Sequence, residues 1–167
     1  MARPLDDLDR KLVALLSEDG RLSVADVARQ AGVSRPTVAT RLRSLLEDGV
    51  VRVAALVDPF TVSDMTVALV GLTLDKYLLE EKIEQVSELD EVDWAAVVTG
   101  RYDIIVEVAT QDGMAGLYRF LTQSLQTVGG IQSSEMFVVM KARRKWSLLA
   151  PAMLRRWGRT SAGRRTG

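Results

Sequence analysis

Cysteine and histidine are both absent from the 167 residues, and each absence removes a class of chemistry. Without cysteine there is no disulfide framework and no thiolate metal site. Without histidine the commonest general base is gone, along with Ser-His and Cys-His nucleophile pairs and most transition-metal ligation. The chain also lacks an apolar run of membrane-spanning length and a charged-then-apolar segment at its start. These absences predict a soluble cytoplasmic protein that is no enzyme and carries no metal or other cofactor. Asp103 and Tyr102 are capable of acid-base work, but nothing around them in sequence supplies a nucleophile, metal or phosphate site.

What is present is a real core and an uneven charge. Hydrophobic residues make up 47% of the chain, enough for one ordinary domain or two small ones. The formal net charge of +0 conceals three parts: 9 Lys+Arg against 8 Asp+Glu over residues 1–57, 4 against 14 over 58–140, and 9 against none over 141–167. A neutral head, an acidic middle and a basic tail read as separate functional pieces.

In the head, Leu8, Leu12, Leu15 and Leu16 fall on one face of a helix whose start carries Asp6, Asp7 and Asp9, where the macrodipole favours acids. Ser23 followed by Asp26 resembles a capping box and opens a second helix burying Val24, Val27 and Ala28, which Gly32 ends. Ser34 then caps a third helix with Pro36 in its first turn and Val38, Leu42, Leu45 and Leu46 as the buried stripe, stopping at Asp48-Gly49. Short helices with a Gly turn before the last have the dimensions of a helix-turn-helix. The third helix leaves Arg35, Thr37, Thr40, Arg41 and Arg43 off its apolar stripe, with no acid in its first half. Arginine can bridge guanine O6 and N7 or clamp phosphate, and threonine offers a hydroxyl and a methyl. The DNA-binding residues are therefore expected to be Ser34, Arg35, Thr37, Thr40, Arg41 and Arg43. Val50, Val51, Arg52 and Val53 resume a strand pattern, predicting a small wing whose Arg52 reaches a backbone phosphate.

Asp58-Pro59 marks a turn and a hinge. Beyond it, strands are expected at Thr66–Leu74, Val92–Thr99, Ile104–Thr110 and Ile131–Met140. An acidic helix through Leu79, Ile83 and Val86 and another through Met114, Leu117, Phe120, Leu121 and Leu125 lie between them. The order βαββαβ is the split-βαβ plan, with both helices on one face of a four-stranded sheet. The other face, left without helices, predicts dimerisation by sheet-on-sheet packing.

The run GRLSVADVARQAGVSRPTVATRLRSLLEDGVV from Gly20 to Val51, with Leu8-Asp9 before it and VVTGRYDIIVEV from Val97 to Val108 after it, resembles the Lrp/AsnC family of bacterial and archaeal transcription factors. The resemblance covers roughly Leu5 to Met140. It implies an α+β protein: an N-terminal (winged) helix-turn-helix domain, then a βαββαβ ferredoxin-like domain of the RAM type, which binds an effector and drives oligomerisation. The expected division is 1–57 for the DNA-binding domain, 58–65 for a linker, 66–142 for the sensing domain and 143–167 for a basic extension. In such proteins a small molecule, usually an amino acid, sits where dimers meet, and the Gly-x-Tyr-Asp loop forms part of its pocket.

By that resemblance Gly100, Arg101, Tyr102 and Asp103 are effector-binding. Gly100 permits close backbone approach, Asp103 suits an α-ammonium group and Tyr102 offers a ring and a hydroxyl. Arg101 is open to two partners, a ligand carboxylate or an acid of a neighbouring subunit. The plainer reading is that Gly100 and Asp103 only turn a hairpin. The last strand of another subunit is expected to supply Ser134 and Met136; Met136 stands where a hydroxyl is often found, which leaves the ligand's identity open.

The function expected is a sequence-specific transcriptional regulator that binds double-stranded DNA and a small-molecule effector. It is expected to work as a homodimer assembling further to a tetramer or octamer, without membrane contact, in a bacterial or archaeal cytoplasm at the nucleoid. The alternative is a nucleoid-associated architectural DNA-binding protein without an effector. Haem-precursor decarboxylases share this architecture, but they depend on histidines that this chain lacks. The tail from Lys141 lies outside the resemblance. It reads as an electrostatic arm on phosphates, as an amphipathic segment from Trp146 to Trp157 packing on a neighbouring subunit, or, from about Arg159, as disorder.

Overall fold

Asp6 and Asp9 begin the chain's first helix by capping one another's backbone. The Asp6 carboxylate accepts from the Asp9 N–H at 2.8 Å and the Asp9 carboxylate from the Asp6 N–H at 3.4 Å, which satisfies donors that a helix start leaves open. The computed structural model describes residues 4–75 and 78–159, and two compact units divide between Ala54 and Ala55.

The first unit holds α1 (Asp7–Glu18), α2 (Val24–Ala31) and α3 (Arg35–Glu47). Ser23 and Ser34 cap α2 and α3 through their side chains, Pro36 lies in the first turn of α3, and Gly32 ends α2 at φ 75°, a left-handed conformation that glycine adopts without a Cβ penalty. Leu12, Val27, Ala28, Ala31 and Val38 form the core, flanked by Leu8, Leu15, Leu16 and Leu42. Burying a side chain such as Leu12 or Val38 stabilises by about 1.5–3 kcal/mol. Val24 and Leu46, expected inside, are 40% and 47% exposed: Val24 is the first residue of α2, at the open end of the helix, and Leu46 is at the margin of α3's apolar arc. The expected wing is absent. Residues 51–56 form no strand among the described residues, because no strand of this chain lies beside them; the first β pairing is the single bridge Val57–Ser147.

The second unit contains β1 (Thr66–Leu74), α4 (Leu79–Ser87), β2 (Val92–Val97), β3 (Ile104–Thr110), α5 (Gly113–Arg119), β4 (Ile131–Val138) and α6 (Pro151–Arg159). The four strands form an antiparallel sheet in the order β2-β3-β1-β4. Ala68, Val70 and Leu72 of β1 and Ile104, Val106 and Val108 of β3 share one face with Val86 of α4 and Leu117 of α5, the ferredoxin-like arrangement. The second helix is shorter than its periodicity predicts. After Arg119 the chain widens into a π turn over Phe120–Ser124 and then tightens over Leu125–Thr127, and Met114 is 63% exposed. Strands β2 and β4 each end two residues before their expected limits.

The opposite face is not bare. Ala150 and Met153 of the basic extension are buried against Val67 and Ala109, with Met65, Val139 and Leu149 around them. The extension through α6 is therefore packed on its own chain's sheet rather than trailing as a free arm. The disorder expected from about Arg159 concerns residues 160–167, which lie outside those described. No helix among the described residues is long and apolar enough to cross a membrane.

Candidate DNA-reading and effector sites

Helix α3 presents its polar residues in two distinct ways. Ser34 accepts from the Thr37 N–H at 3.3 Å, and the two hydroxyls lie 2.7 Å apart, so both side chains are engaged in starting the helix. Arg35, Thr37, Thr40 and Arg43 are exposed, and among the described residues neither Arg35 nor Arg43 pairs with an acid. Arg41 differs. Its Nη1 lies 2.6 Å from Asp6 Oδ2 and 3.3 Å from Asp9 Oδ1. The Asp6 carboxyl is held below the usual carboxylate range by the Asp9 N–H first and by Arg41 after it. Arg41 thus ties α3 to the capped start of α1, a role that helical periodicity does not reveal because its partners lie over thirty residues away. Arg52 is exposed on the irregular stretch after α3.

In the second unit the loop between β2 and β3 reverses at Gly100, whose φ of 138° favours glycine. Asp103 is anchored on both sides: its N–H donates to Leu72 O at 2.9 Å, its carbonyl accepts from Val98 N–H at 3.0 Å, and its carboxylate accepts from Leu74 N–H at 2.8 Å. That last bond falls where the β1–β4 register shifts, between Thr73 and Leu74. Tyr102 lays its ring over Gly71; a Cβ there would come 2.5 Å from the ring. The Tyr102 hydroxyl donates to Glu135, which pushes the phenol's pKa up, with burial adding to the effect. Arg101 pairs with the same Glu135 carboxylate at 3.1 Å and stands 5.5 Å over the Tyr102 ring, while Phe137 meets that ring edge-on at 6.3 Å.

Ser134 and Met136 are placed elsewhere. Their partners across the sheet are Leu72 and Val70, and Met136 packs into the helix-covered core. Glu135, opposite Gly71, projects from the other face with Tyr102. Within one chain the structure therefore joins Arg101 and Tyr102 to Glu135 and does not join them to Ser134 or Met136. Glu135, Gly71 and Phe137 were not expected at this site; only the strand register, which sequence does not fix, brings them there.

The family model for the AsnC-type helix-turn-helix domain matches residues 5–46, and that for the Lrp/AsnC ligand binding domain matches residues 67–146. An uncharacterized HTH-type transcriptional regulator of Pyrococcus abyssi is 34% identical over 143 residues, covering 85% of this chain and 89% of that one. The chain belongs to the Lrp/AsnC family. Among solved structures, this Lrp/AsnC protein is similar to AsnC of E. coli, at 27% identity and a TM-score of 0.70 over 86% of this chain and 97% of that chain. It is also similar to a transcriptional regulator of Neisseria meningitidis in complex with L-Met, at 25% identity and a TM-score of 0.71 over 85% and 94%. It is a transcriptional regulator with a DNA-binding helix-turn-helix and a ligand-binding domain.

Proposed function

We propose that this Lrp/AsnC regulator reads a two-fold operator with α3 and changes its operator binding and its assembly when an amino acid binds the sheet domain. The observation that carries the reading is the joining of a capped helix-turn-helix, with Arg35, Thr37, Thr40 and Arg43 exposed, to a sheet domain whose Gly100–Asp103 loop holds an arginine, a tyrosine and an aspartate in fixed positions. Thr40 and Arg43 are the base-reading candidates, Arg35 and Arg52 phosphate contacts, and Ser34 and Arg41 the groups that position the helix. Recognition helices of a dimer would lie about 34–36 Å apart, or a multiple of that.

At the effector site Gly100, Arg101, Tyr102 and Asp103 of one subunit would meet Ser134 and Met136 of another. The separation of the two sets on opposite sheet faces supports a site completed between subunits. The relative solved with L-Met makes methionine the first ligand to test. Exposed Trp94 and Phe137 on the face opposite α4 and α5 support sheet-on-sheet dimerisation, and further assembly to a tetramer or octamer would bring the loops together. The setting is the cytoplasm.

The test is thermal denaturation of the full chain against the twenty amino acids, with fluorescence anisotropy on specific and random duplexes at fixed salt. A ligand at one hundred times its Kd stabilises by about 2.7 kcal/mol, and linkage then shifts DNA affinity by about 5–150-fold. The basic tail favours a second reading, an architectural protein without an effector. A specific-to-random ratio near one, with no amino acid raising the midpoint, would decide for it.

A further inference from the structure

Among the described residues, the cations of the C-terminal extension divide into two groups by what they touch. Lys145 Nζ lies 2.7 Å from Glu107 Oε1, Arg155 pairs with Asp90, and Arg156 pairs with Asp112 at 3.2 Å. These three bind the extension to the acidic sheet unit. Lys141, Arg143 and Arg144 are exposed, and none of them pairs with an acid among the described residues, although the stretch 58–140 carries 14 acids against 4 bases.

The segment that carries the second group is fixed at both ends. Before it, the Val139 N–H donates to Val67 O at 2.9 Å. After it, Lys145 reaches Glu107, and Ser147 exchanges two backbone hydrogen bonds with Val57, at 2.8 and 2.9 Å. Between these anchors Arg144 takes a left-handed backbone, φ 56°, which turns the chain sharply. An unanchored basic run must be ordered when it binds, and that ordering subtracts from affinity; cations already held in place lose less. The loop therefore displays three free cations on a short, tethered span beside Trp146, which is 59% exposed.

The geometry points to a second DNA-contacting surface: we propose that Lys141, Arg143 and Arg144 grip the phosphate backbone of duplex DNA from the sheet unit, in addition to the contacts made by α3. This rests on the DNA-binding reading above. Duplex DNA fits better than a small anion because the three exposed side chains are spread along one loop, and a polyanion presents phosphates to them in series. Arginine suits this contact through its planar fork, and the exposed Trp146 ring offers apolar contact to deoxyribose. The acidic body beneath would otherwise repel DNA, and these cations offset it locally.

The experiment is anisotropy of the full chain and of Lys141→Gln/Arg143→Gln/Arg144→Gln on a random duplex, and on the operator once selected, across a salt series from about 50 to 200 mM. Each phosphate contact contributes about 0.9 to the slope of log K against log salt, so the variant's slope should be shallower by up to about 3 per chain. Its melting midpoint and its specific-to-random ratio should match the parent's, because the loop is exposed and reads no base. Equal slopes for parent and variant overturn the proposal while leaving the regulator reading intact. If the parent itself binds no duplex at low salt, the DNA reading fails and this surface with it. Arg43→Ala in the parent serves as the contrast: it should lower the specific-to-random ratio, a change the loop variant should not produce.

Discussion

Tyr102 lies against Gly71 so closely that a methyl group in place of the glycine hydrogen would come 2.5–2.7 Å from three ring carbons. Gly71 is in the middle of β1, opposite Ile105 and Glu135, where a glycine otherwise weakens a strand. Its presence is explained by the ring it accommodates. Gly71→Ala should displace Tyr102, break its bond to Glu135 and remove effector response, with overpacking costing about 1–3 kcal/mol. Denaturation and effector titration check this. Adding Tyr102→Ala should restore stability non-additively; additive losses would show that the ring is not what the methyl disturbs.

Arg41 makes a different kind of test. With Asp6 and the buried Asp9 as partners, Arg41→Ala leaves an acid in the interior of the first unit with one cation fewer. The expected result is a lower melting midpoint for the head, and DNA affinity reduced equally on specific and random duplex. Thr40→Ala should do the reverse, keeping the midpoint and lowering the specific-to-random ratio. If Arg41→Ala changes base preference at an unchanged midpoint, the clamp assignment is wrong and the arginine reads DNA directly.

The contrast between these two sites shows where sequence reading succeeds. Caps, breakers and periodicity are local, so Ser23, Gly32, Ser34 and the limits of β1 and β3 could be read directly from neighbouring residues. The Gly100–Asp103 loop was legible for the same reason, as an unusual interruption between two strands. Partners set by register or by packing between elements were not. Glu135 meets Tyr102 only because β4 pairs with β1 in one register of several that alternation permits. Arg41 faces Asp6 and Asp9 only after α1 packs on α3. The extension's basic composition favours an arm and its apolar residues between Trp146 and Trp157 a packed amphipathic segment; Ala150 and Met153, two small signals among arginines, settle its packing on its own sheet.

Beneath that extension, Asp93 and Glu107 share one patch with Lys145 and Ser147. Burial, and then the hydrogen bond and charge of Glu107, push the Asp93 pKa up to about 6 from 3.8, against the opposing effects of Lys145 and Ser147. A folded-state pKa above the unfolded value means that the folded protein holds more protons between those limits, so the contribution of Asp93 to stability falls as pH rises from about 4 to about 6. Asp93→Asn keeps a hydrogen-bonding side chain and cannot titrate. The difference in unfolding free energy between parent and variant should therefore change across that window and be flat above it. Denaturant melts at a series of pH values, together with Trp fluorescence to follow the extension, measure it. A parallel pH dependence in both proteins would place the Asp93 pKa outside the window.

Asp103 allows the turn-forming and ligand-binding roles to be separated. Its carboxylate already accepts from Leu74 N–H at 2.8 Å, beside the register shift of β1 and β4, which makes Asp103→Ala an ambiguous experiment: loss of effector response would follow from a collapsed turn as readily as from a missing ligand contact. Asp103→Asn is the cleaner variant, since an amide oxygen can accept the same N–H while the negative charge is gone. If the carboxylate also holds an α-ammonium group, the variant should keep its melting midpoint near the parent's and lose at least tenfold in effector affinity, because a hydrogen bond to a charged group contributes about 1.5–3 kcal/mol. Isothermal titration with the amino acid that stabilises the parent reads this directly. Unchanged affinity would assign Asp103 to the turn alone and leave Arg101 and Tyr102, released from Glu135, as the groups of this loop that meet the ligand.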